Sequence, residues 1–312
     1  LEKGIIDGVL VTRMRKDRPL EPEPFIARTR EEIIEASKSK YCPVPANIAL
    51  KDILSSNENE KFAIVGLPCH INAARKAEQI NAKLRKKIIF HFAIMCSHTD
   101  NFIAIEFILK CFGIEAVNVK SIEYRGRGWP GSMLVNLDNG IQKFIPYRDY
   151  IKAHELWMFN PACCNFCCDS LGGLSDISFG DAWNIRNEFE AGHGVSLCIA
   201  RTPLADAILK KAISEDALKM MKVQRDFILN SQGIVSSRRV KYSRVNMKFN
   251  KNYPRYEKRG LNDNAFNPGS FDYAKYILFS INRRILSRKS IWSVSRVVLN
   301  LEEEFLRMAI LK

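Results

Sequence analysis

The chain has 312 residues and a net charge of +14, and its 46% hydrophobic content supports one large folded domain or two ordinary ones. No run of eighteen uncharged apolar residues occurs, and Leu1-Glu-Lys-Gly-Ile-Ile-Asp-Gly8 lacks the charged-then-apolar layout of a secretion signal, so a cytosolic chain without a transmembrane segment is expected. Nine cysteines, an odd number lying mostly in apolar runs, argue against a disulfide framework and for reduced thiols or metal ligands.

Leu1-Glu-Lys-Gly4 reads as the end of a helix capped by glycine, so a further N-terminal segment is expected to precede it. Ile5 to Thr12 reads as a strand, and Glu21-Pro-Glu-Pro24 as an extended loop, because each proline pushes its predecessor out of helical geometry. Thr29-Arg-Glu-Glu32 is a capping-box pattern for a helix through Ser37. Lys40-Tyr41-Cys42-Pro43-Val-Pro45 breaks it, and helical spacing resumes from Ala46 to Leu54.

Lys61 to Val65 is an apolar run of strand length, followed by a strand-to-helix turn, Gly66-Leu-Pro68-Cys69-His70, and a helix from about Ile71 to Ala82. Cys69 thus lies near a helix N-terminus, where the dipole favours a thiolate. Ile88 to Met95 is the next strand, ending at Cys96-Ser97-His98; Asp100 can cap a helix to Phe112, closed by Gly113. Two successive strands therefore each end in a cysteine, at the edge where open α/β sheets build their sites.

Val117 to Tyr124 reads as a strand, and Ser132–Leu137, Asp138-Asn139-Gly140 and Ile141–Ile145 as a hairpin with an Asn-Gly turn, which makes the sheet mixed. A helix over Tyr147–Phe159 delivers the chain to Cys163-Cys164-Asn-Phe-Cys167-Cys168. Strands at Asp176–Gly180 and Val195–Ala200 flank the glycine-bearing loop Ala191-Gly192-His193-Gly194, and Pro203 starts a helix to Ser214. A short strand and helix follow to Gln232. From Arg238 to Lys312 there are 17 Lys and Arg against 6 Asp and Glu, a balance of +11, and two helical stretches are expected, Phe271–Ser287 and Ile291–Leu311, after a linker over Asn262–Gly269.

The fold class expected is α/β, a mixed central sheet flanked by helices, with a helical basic C-terminal extension. The divisions expected are residues 1–60, a domain over 61–235 that carries the clustered cysteines and that the resemblance given below makes an iron-sulfur/flavin domain, and the extension over 236–312.

A Cys-x-x-Cys turn brings two sulfurs to one side, and Cys164/Cys167 is such a pair. Cys69 and Cys96 are the cysteines placed to complete a set of four; spacing alone fits a structural zinc and an iron-sulfur cluster equally. Cys42, Cys111 and Cys198 read as buried small side chains, and Cys163 and Cys168 as flanking alternates. His91 reads as a core histidine, whereas His70 and His98 adjoin the ligand cysteines and could orient them. Asp169, Asp176 and Asp181 are turn formers or strand-end caps rather than general bases. Gly66-Leu-Pro68 ahead of a helix is a weak phosphate-cradle pattern. The basic, aromatic stretch Arg238–Arg259 reads first as a solvated face or a dock for an acidic partner, and only second as a nucleic-acid patch.

With these residues in place, the chain resembles the coenzyme F420 hydrogenase/dehydrogenase beta-subunit family over roughly Leu1 to Val235. Gly4-Ile-Ile-Asp-Gly8 is similar to the segment after that family's N-terminal glycine-rich helix, and Ser39-Lys40-Tyr41-x-x-x-Pro45 to its Thr-Lys-Tyr turn. Gly66-x-Pro68-Cys69-His70 is similar to its Gly-x-Pro-Cys-Gln, and Cys164-x-x-Cys167-x-Asp169 with Ser175-Asp176-Ile-Ser178-x-Gly180-Asp181 to its cluster loop and following strand. The resemblance implies a 4Fe-4S cluster on Cys69, Cys96, Cys164 and Cys167 and a flavin, FAD, beside it. The expected flavin positions are Lys40, Tyr41, Gly66, Pro68, Ser178, Gly180 and Asp181, Lys40 suiting a phosphate or the reduced ring. It implies electron transfer between coenzyme F420 or ferredoxin and a redox partner protein or small molecule, with no catalytic acid or base nominated. His70 in place of Gln, Gly180-Asp-Ala-Trp183 and the basic tail depart from the hydrogenase pattern. The competing expectation is a zinc-stabilised binding module whose basic tail docks an acidic partner or nucleic acid.

Overall fold

The structure is a computed structural model and describes residues 1–155, 157, 159–183, 194–250, 267–286, 289 and 292. Two strands open the chain, β1 (Gly8–Met14) and β2 (Pro22–Ala27), paired antiparallel. The Pro22–Pro24 segment expected as a loop is thus a strand; β2 lies at the sheet edge, where a residue without an N–H is tolerated. α1 (Arg30–Glu35) begins at Thr29 with the reciprocal capping box its sequence announces, and α2 (Leu50–Ser55) follows a 3₁₀ turn at Ala46–Ala49.

β3 (Phe62–Gly66), α3 (Pro68–Ile80), α4 (Ala82–Lys87), β4 (Ile88–Ile94) and α5 (Phe102–Cys111) give the expected strand-helix alternation. Gly113 closes α5 with φ +67°. Its cap is Asn101, whose Oδ1 accepts the Ile103 N–H at 3.0 Å, and not Asp100.

β5 (Val119–Glu123), β6 (Ser132–Leu137) and β7 (Gln142–Pro146) form a separate three-stranded antiparallel sheet. The hairpin expectation holds, but the hairpin is not what mixes the main sheet. That sheet runs β2-β1-β3-β4-β8-β9, with β8 (Ile177–Asp181) and β9 (Ser196–Ala200); β1, β3, β4 and β8 are parallel, and β2 and β9 add antiparallel edges. α6 (Tyr147–Glu155) follows β7 and is shorter than expected. Its apolar side, with Tyr150, Ile151 and Ala153, joins Phe107, Leu109, Met133 and Val135 in one core, while Ile64, Ile71, Ala74 and Leu84 pack α3 and α4 on the main sheet.

α7 (Pro203–Ser214) starts at Pro203 as read. Among the described residues no strand follows it; α8 (Arg225–Phe249) runs unbroken past residue 236, where the composition changes, and packs against α9 (Ser270–Leu286). The basic, aromatic run from Arg238 is helical as far as Phe249, and Val240, Tyr242 and Val245 are buried along it. The expected Ile291–Leu311 helix, the loop at 191–193 and most of the 262–269 linker lie outside the described residues.

Candidate functional site

The parallel strands β3, β4 and β8 end together, at Gly66, Ile94 and Asp181. From β3, Leu67 leads into Pro68, which is buried and occupies the first turn of α3, followed by Cys69, which is exposed. The Leu67 N–H donates to His70 Nδ1 at 3.2 Å. Burial pushes the His70 pKa down, so the neutral ring keeps that nitrogen as an acceptor. His70 therefore caps the helix that presents Cys69, the job a Gln does from the same position. A Cβ on Gly66 would lie 2.9 Å from His70 Cβ, so the glycine is what lets the ring fold back.

From β4, Met95 N–H donates to Phe179 O at 2.7 Å and Cys96 N–H to Ser170 O at 2.9 Å. The chain from Ser170 then runs back along β4: Gly172, at φ +70°, would place a Cβ 2.4 Å from Ala93 Cβ, and Asp176 N–H reaches His91 O at 2.8 Å. Asp169 shapes the loop by accepting the N–H groups of Gly172 (2.9 Å) and Gly173 (3.0 Å), the turn-forming role expected of it. These contacts bring the Cys163–Cys168 loop, a 3₁₀ turn at Ala162–Asn165, to the end of β4.

Cys164 is buried, and its thiol pKa is pushed well up, first by a hydrogen bond with Cys163, then by burial and by nearby Cys96; the Thr99 backbone N–H, bonded to the same sulfur, opposes this. Cys96, Cys163 and Cys164 are thus neighbours, and Cys167 Sγ lies 3.7 Å from Asp169 O. Thiols from three chain segments at one sheet end, one with an N–H aimed at its sulfur, are donor chemistry that fits a thiolate-ligated iron-sulfur cluster. Cys42 and Cys111 are buried, as read; Cys198 is half-buried in β9.

The positions expected at a flavin divide into two groups. Lys40 donates its ammonium to the carbonyls of Ala36, Ser37 (2.7 Å) and Lys38 (3.0 Å), closing the end of α1, and burial lowers its pKa to about 8. Ser178 is fully buried and its Oγ accepts Arg201 Nη1 at 2.9 Å. Gly180 faces Met95, whose Sδ would be 2.5 Å from a Cβ there. Lys40, Gly66, Ser178 and Gly180, with Pro68 buried in the first turn of α3, thus each make contacts within the fold itself.

Tyr41 and Asp181 come together with a residue the sequence reading passed over, Arg125. Arg125 Nη1 bonds Asp181 Oδ2 at 2.7 Å, its guanidinium lies 4.9 Å from the Tyr147 ring centre and 5.7 Å from that of Trp183, and Nε donates to Pro130 O. Burial works against the Arg125 charge, but Tyr41 and Asp181 outweigh it and its pKa is raised. Trp129 packs on Trp183 at 5.3 Å, and its buried Nε1 has no hydrogen-bond partner among the described residues. A fixed cation, aromatic faces and an orphaned ring donor beyond the carboxyl ends of parallel strands fit a flat, anionic cofactor. The only sequence signal was glycine density in Arg125-Gly-Arg-Gly-Trp-Pro-Gly131, which marks close backbone approach.

Behind the cysteines, His98, Asp100 and His154 are buried with ligand atoms within 4.8 Å of one another. His98 and His154 are stacked at 3.8 Å and 10°, so no single ion lies in both ring planes. His154 Nδ1 bonds Asp100 Oδ2 at 2.8 Å, and His98 Nε2 bonds His154 O at 2.8 Å. This is a hydrogen-bonded prop between the Cys96 turn and α6.

Two family models for the coenzyme F420 hydrogenase/dehydrogenase beta subunit match the chain: that of its C terminus over residues 59–226, more than half the chain, and that of its N-terminal region over residues 1–51. The chain belongs to this family. This member is 26% identical over 229 residues to coenzyme F420 hydrogenase subunit beta of Methanosarcina barkeri, covering 72% of each chain. It is 24% identical over 241 residues to the coenzyme F420-dependent sulfite reductase of Methanocaldococcus jannaschii, covering 72% of this chain and 34% of that one. In fold it matches a chain of the F420-reducing hydrogenase complex of Methanosarcina barkeri, with a TM-score of 0.59 at 24% identity over 82% of this chain and 84% of the other.

Proposed function

We propose that this family member is a flavin-dependent iron-sulfur oxidoreductase. It holds a 4Fe-4S cluster on Cys69, Cys96, Cys164 and Cys167 and FAD beside it, and moves electrons between a deazaflavin such as coenzyme F420, or ferredoxin, and a partner protein or small substrate. The observation that carries this reading is the seating of the Cys164 loop on the end of β4, through Cys96 N–H to Ser170 O, within a chain matched by the family over residues 59–226.

A flavin exchanges hydride and a cluster single electrons, so the two together connect the two kinds of transfer. The chain's own part is to hold and tune. The N-terminal turn of α3 favours Cys69 as a thiolate, whereas at Cys164 the Cys163 hydrogen bond and burial favour the thiol and the Thr99 N–H only partly offsets them. Arg125 keeps a positive charge at the β8 end, fixed by Asp181, where it would bind a phosphate or the anionic ring. Tyr41, with its pKa raised by burial, stays a neutral phenol on the near side. The position taken for FAD is therefore the Tyr41–Arg125–Asp181 corner, with the other expected positions supporting it from behind.

Anaerobic purification followed by iron, acid-labile sulfide, zinc and flavin analysis tests the reading. About four irons and four sulfides per chain with bound flavin are expected; colourless protein holding stoichiometric zinc would overturn it.

A further inference from the structure

Arg201 directly follows β9, and its backbone N–H donates to Asp176 O at 2.9 Å. The half-buried side chain then crosses β8: Nη1 donates to Ser178 Oγ at 2.9 Å and to Ser175 Oγ at 3.2 Å, and Nη2 to Leu171 O at 2.8 Å. These acceptors are all neutral, and among the described residues no carboxylate bonds the guanidinium. Asp169 acts on it only through space, its oxygens being taken by the Gly172 and Gly173 N–H groups, and burial outweighs this attraction to lower the Arg201 pKa. Arg125 and Arg75 differ, the first bonded to Asp181 and the second to Asp176 and Glu78. Burying a cation costs free energy unless an anion faces it. What Arg201 holds is the cysteine loop: Leu171 follows Ser170, whose carbonyl accepts the Cys96 N–H at 2.9 Å, and Asp169 O lies 3.7 Å from Cys167 Sγ.

We propose that Arg201 sets the reduction potential of the cluster held by Cys69, Cys96, Cys164 and Cys167, its guanidinium offsetting the negative charge of the thiolate-ligated centre. Resting on the cluster reading above, this role goes beyond seating the loop. Reduction adds one electron and no proton to the centre, and Arg201 stays protonated in both states. A fixed cation favours the more negative of the two states, so it raises the potential. The planar fork, bonded at once to Leu171 O and Ser178 Oγ, keeps that charge in one place between the loop and β8.

Redox titration of the anaerobically purified full chain, followed by the visible absorption of the cluster and set beside iron and sulfide content, tests this. Arg201→Gln should lower the equilibrium constant for reduction roughly tenfold, about 59 mV for a one-electron couple, with iron unchanged. Arg201→Lys keeps the charge and loses the fork, so its equilibrium constant should stay within about threefold of wild type although it melts lower. A residue that only seats the loop would make the two variants alike. Equal potentials in both, or an unshifted Arg201→Gln, would therefore overturn the proposal. Should Arg201→Gln fail to retain iron, iron content decides: iron kept by Arg201→Lys supports the charge role, and iron lost from both overturns it. A wild-type chain that holds zinc or no cluster removes the cluster reading and this role together, an outcome distinct from an unshifted potential on a loaded cluster.

Discussion

The cysteine-bearing segments are tied together by a buried charge cluster whose removal has a calculable effect. His91, on β4 and 1% exposed, meets Glu78 of α3 through Nε2 at 2.5 Å and Asp176 through Nδ1 at 3.3 Å; Asp176 also accepts the His91 backbone N–H at 2.8 Å. Arg75 reaches Asp176 at 3.4 Å and Glu78 at 3.5 Å. Burial pushes His91 down, but the Asp176 and Glu78 contacts outweigh it, so its pKa is raised; Asp176, opposed by burial, is lowered by the same partner. Asp176→Asn removes a charge-assisted bond worth about 1.5–3 kcal/mol and leaves His91 paired on one side only, a loss of about 3 kcal/mol in all. At roughly 2–4 °C per kcal/mol, the melting temperature should fall by about 6–12 °C.

The sign of the pH dependence follows from the two shifts. With its folded pKa raised, His91 contributes fully below the unfolded value of about 6.5, and the contribution is lost as pH rises through the folded pKa; with its folded pKa lowered, Asp176 contributes above about 3.9 and loses that contribution as pH falls. The variant's deficit should therefore be greatest near pH 5–6 and shrink toward pH 9. Denaturant melts of wild type and variant across that range measure it. A deficit equal at both ends, or below about 1 kcal/mol at pH 6, would refute the charged-cluster account.

Gly172→Ala puts a Cβ at φ +70° within 2.4 Å of Ala93, and should cost more than about 2 kcal/mol in denaturant melts. His70→Gln keeps an acceptor for the Leu67 N–H and should change stability by under about 0.5 kcal/mol, against about 1 kcal/mol for His70→Ala. Cys164→Ser should abolish bound iron and sulfide whereas Cys163→Ser leaves them, as read by metal analysis. Arg125→Ala should lower flavin per chain with iron unchanged, since the Asp181 carboxylate then faces the cofactor unpaired.

Signals confined to a few adjacent residues were the legible ones: the Thr29–Glu32 box, the Asn139-Gly140 turn, Pro203 at a helix start and the apolar run of β3 all form where read. What failed required knowledge of neighbours. β2 was hidden by two prolines that only an edge position excuses, and a hairpin's own residues do not say which sheet it joins. Asp100 and Asn101 both suit a helix cap; the choice fell to Asn101 because the buried His154 draws Asp100 away. The glycines and serine of the motif were visible, but the uses of Gly180 and Ser178 depend on Met95 and Arg201, which lie elsewhere in the chain.

Those distant partners explain why a ligand set can be legible while its support is not. Cysteine spacing encodes which sulfurs can meet. Whether they do meet depends on residues 170–176 lying along β4, through Ser170 O on Cys96 N–H, Gly172 on Ala93 and Asp176 on His91. None of the side chains that anchor this stretch is a thiol, and each acts between strand and loop, so the loop is seated by protein contacts in addition to any group bound by the cysteines. Binding free energy at a thiolate site adds to folding only to the extent that the site must be ordered by the ligand. With the loop docked by its own hydrogen bonds, damage to the His91–Asp176 contact should weaken retention of the proposed cluster without touching any of the cysteines.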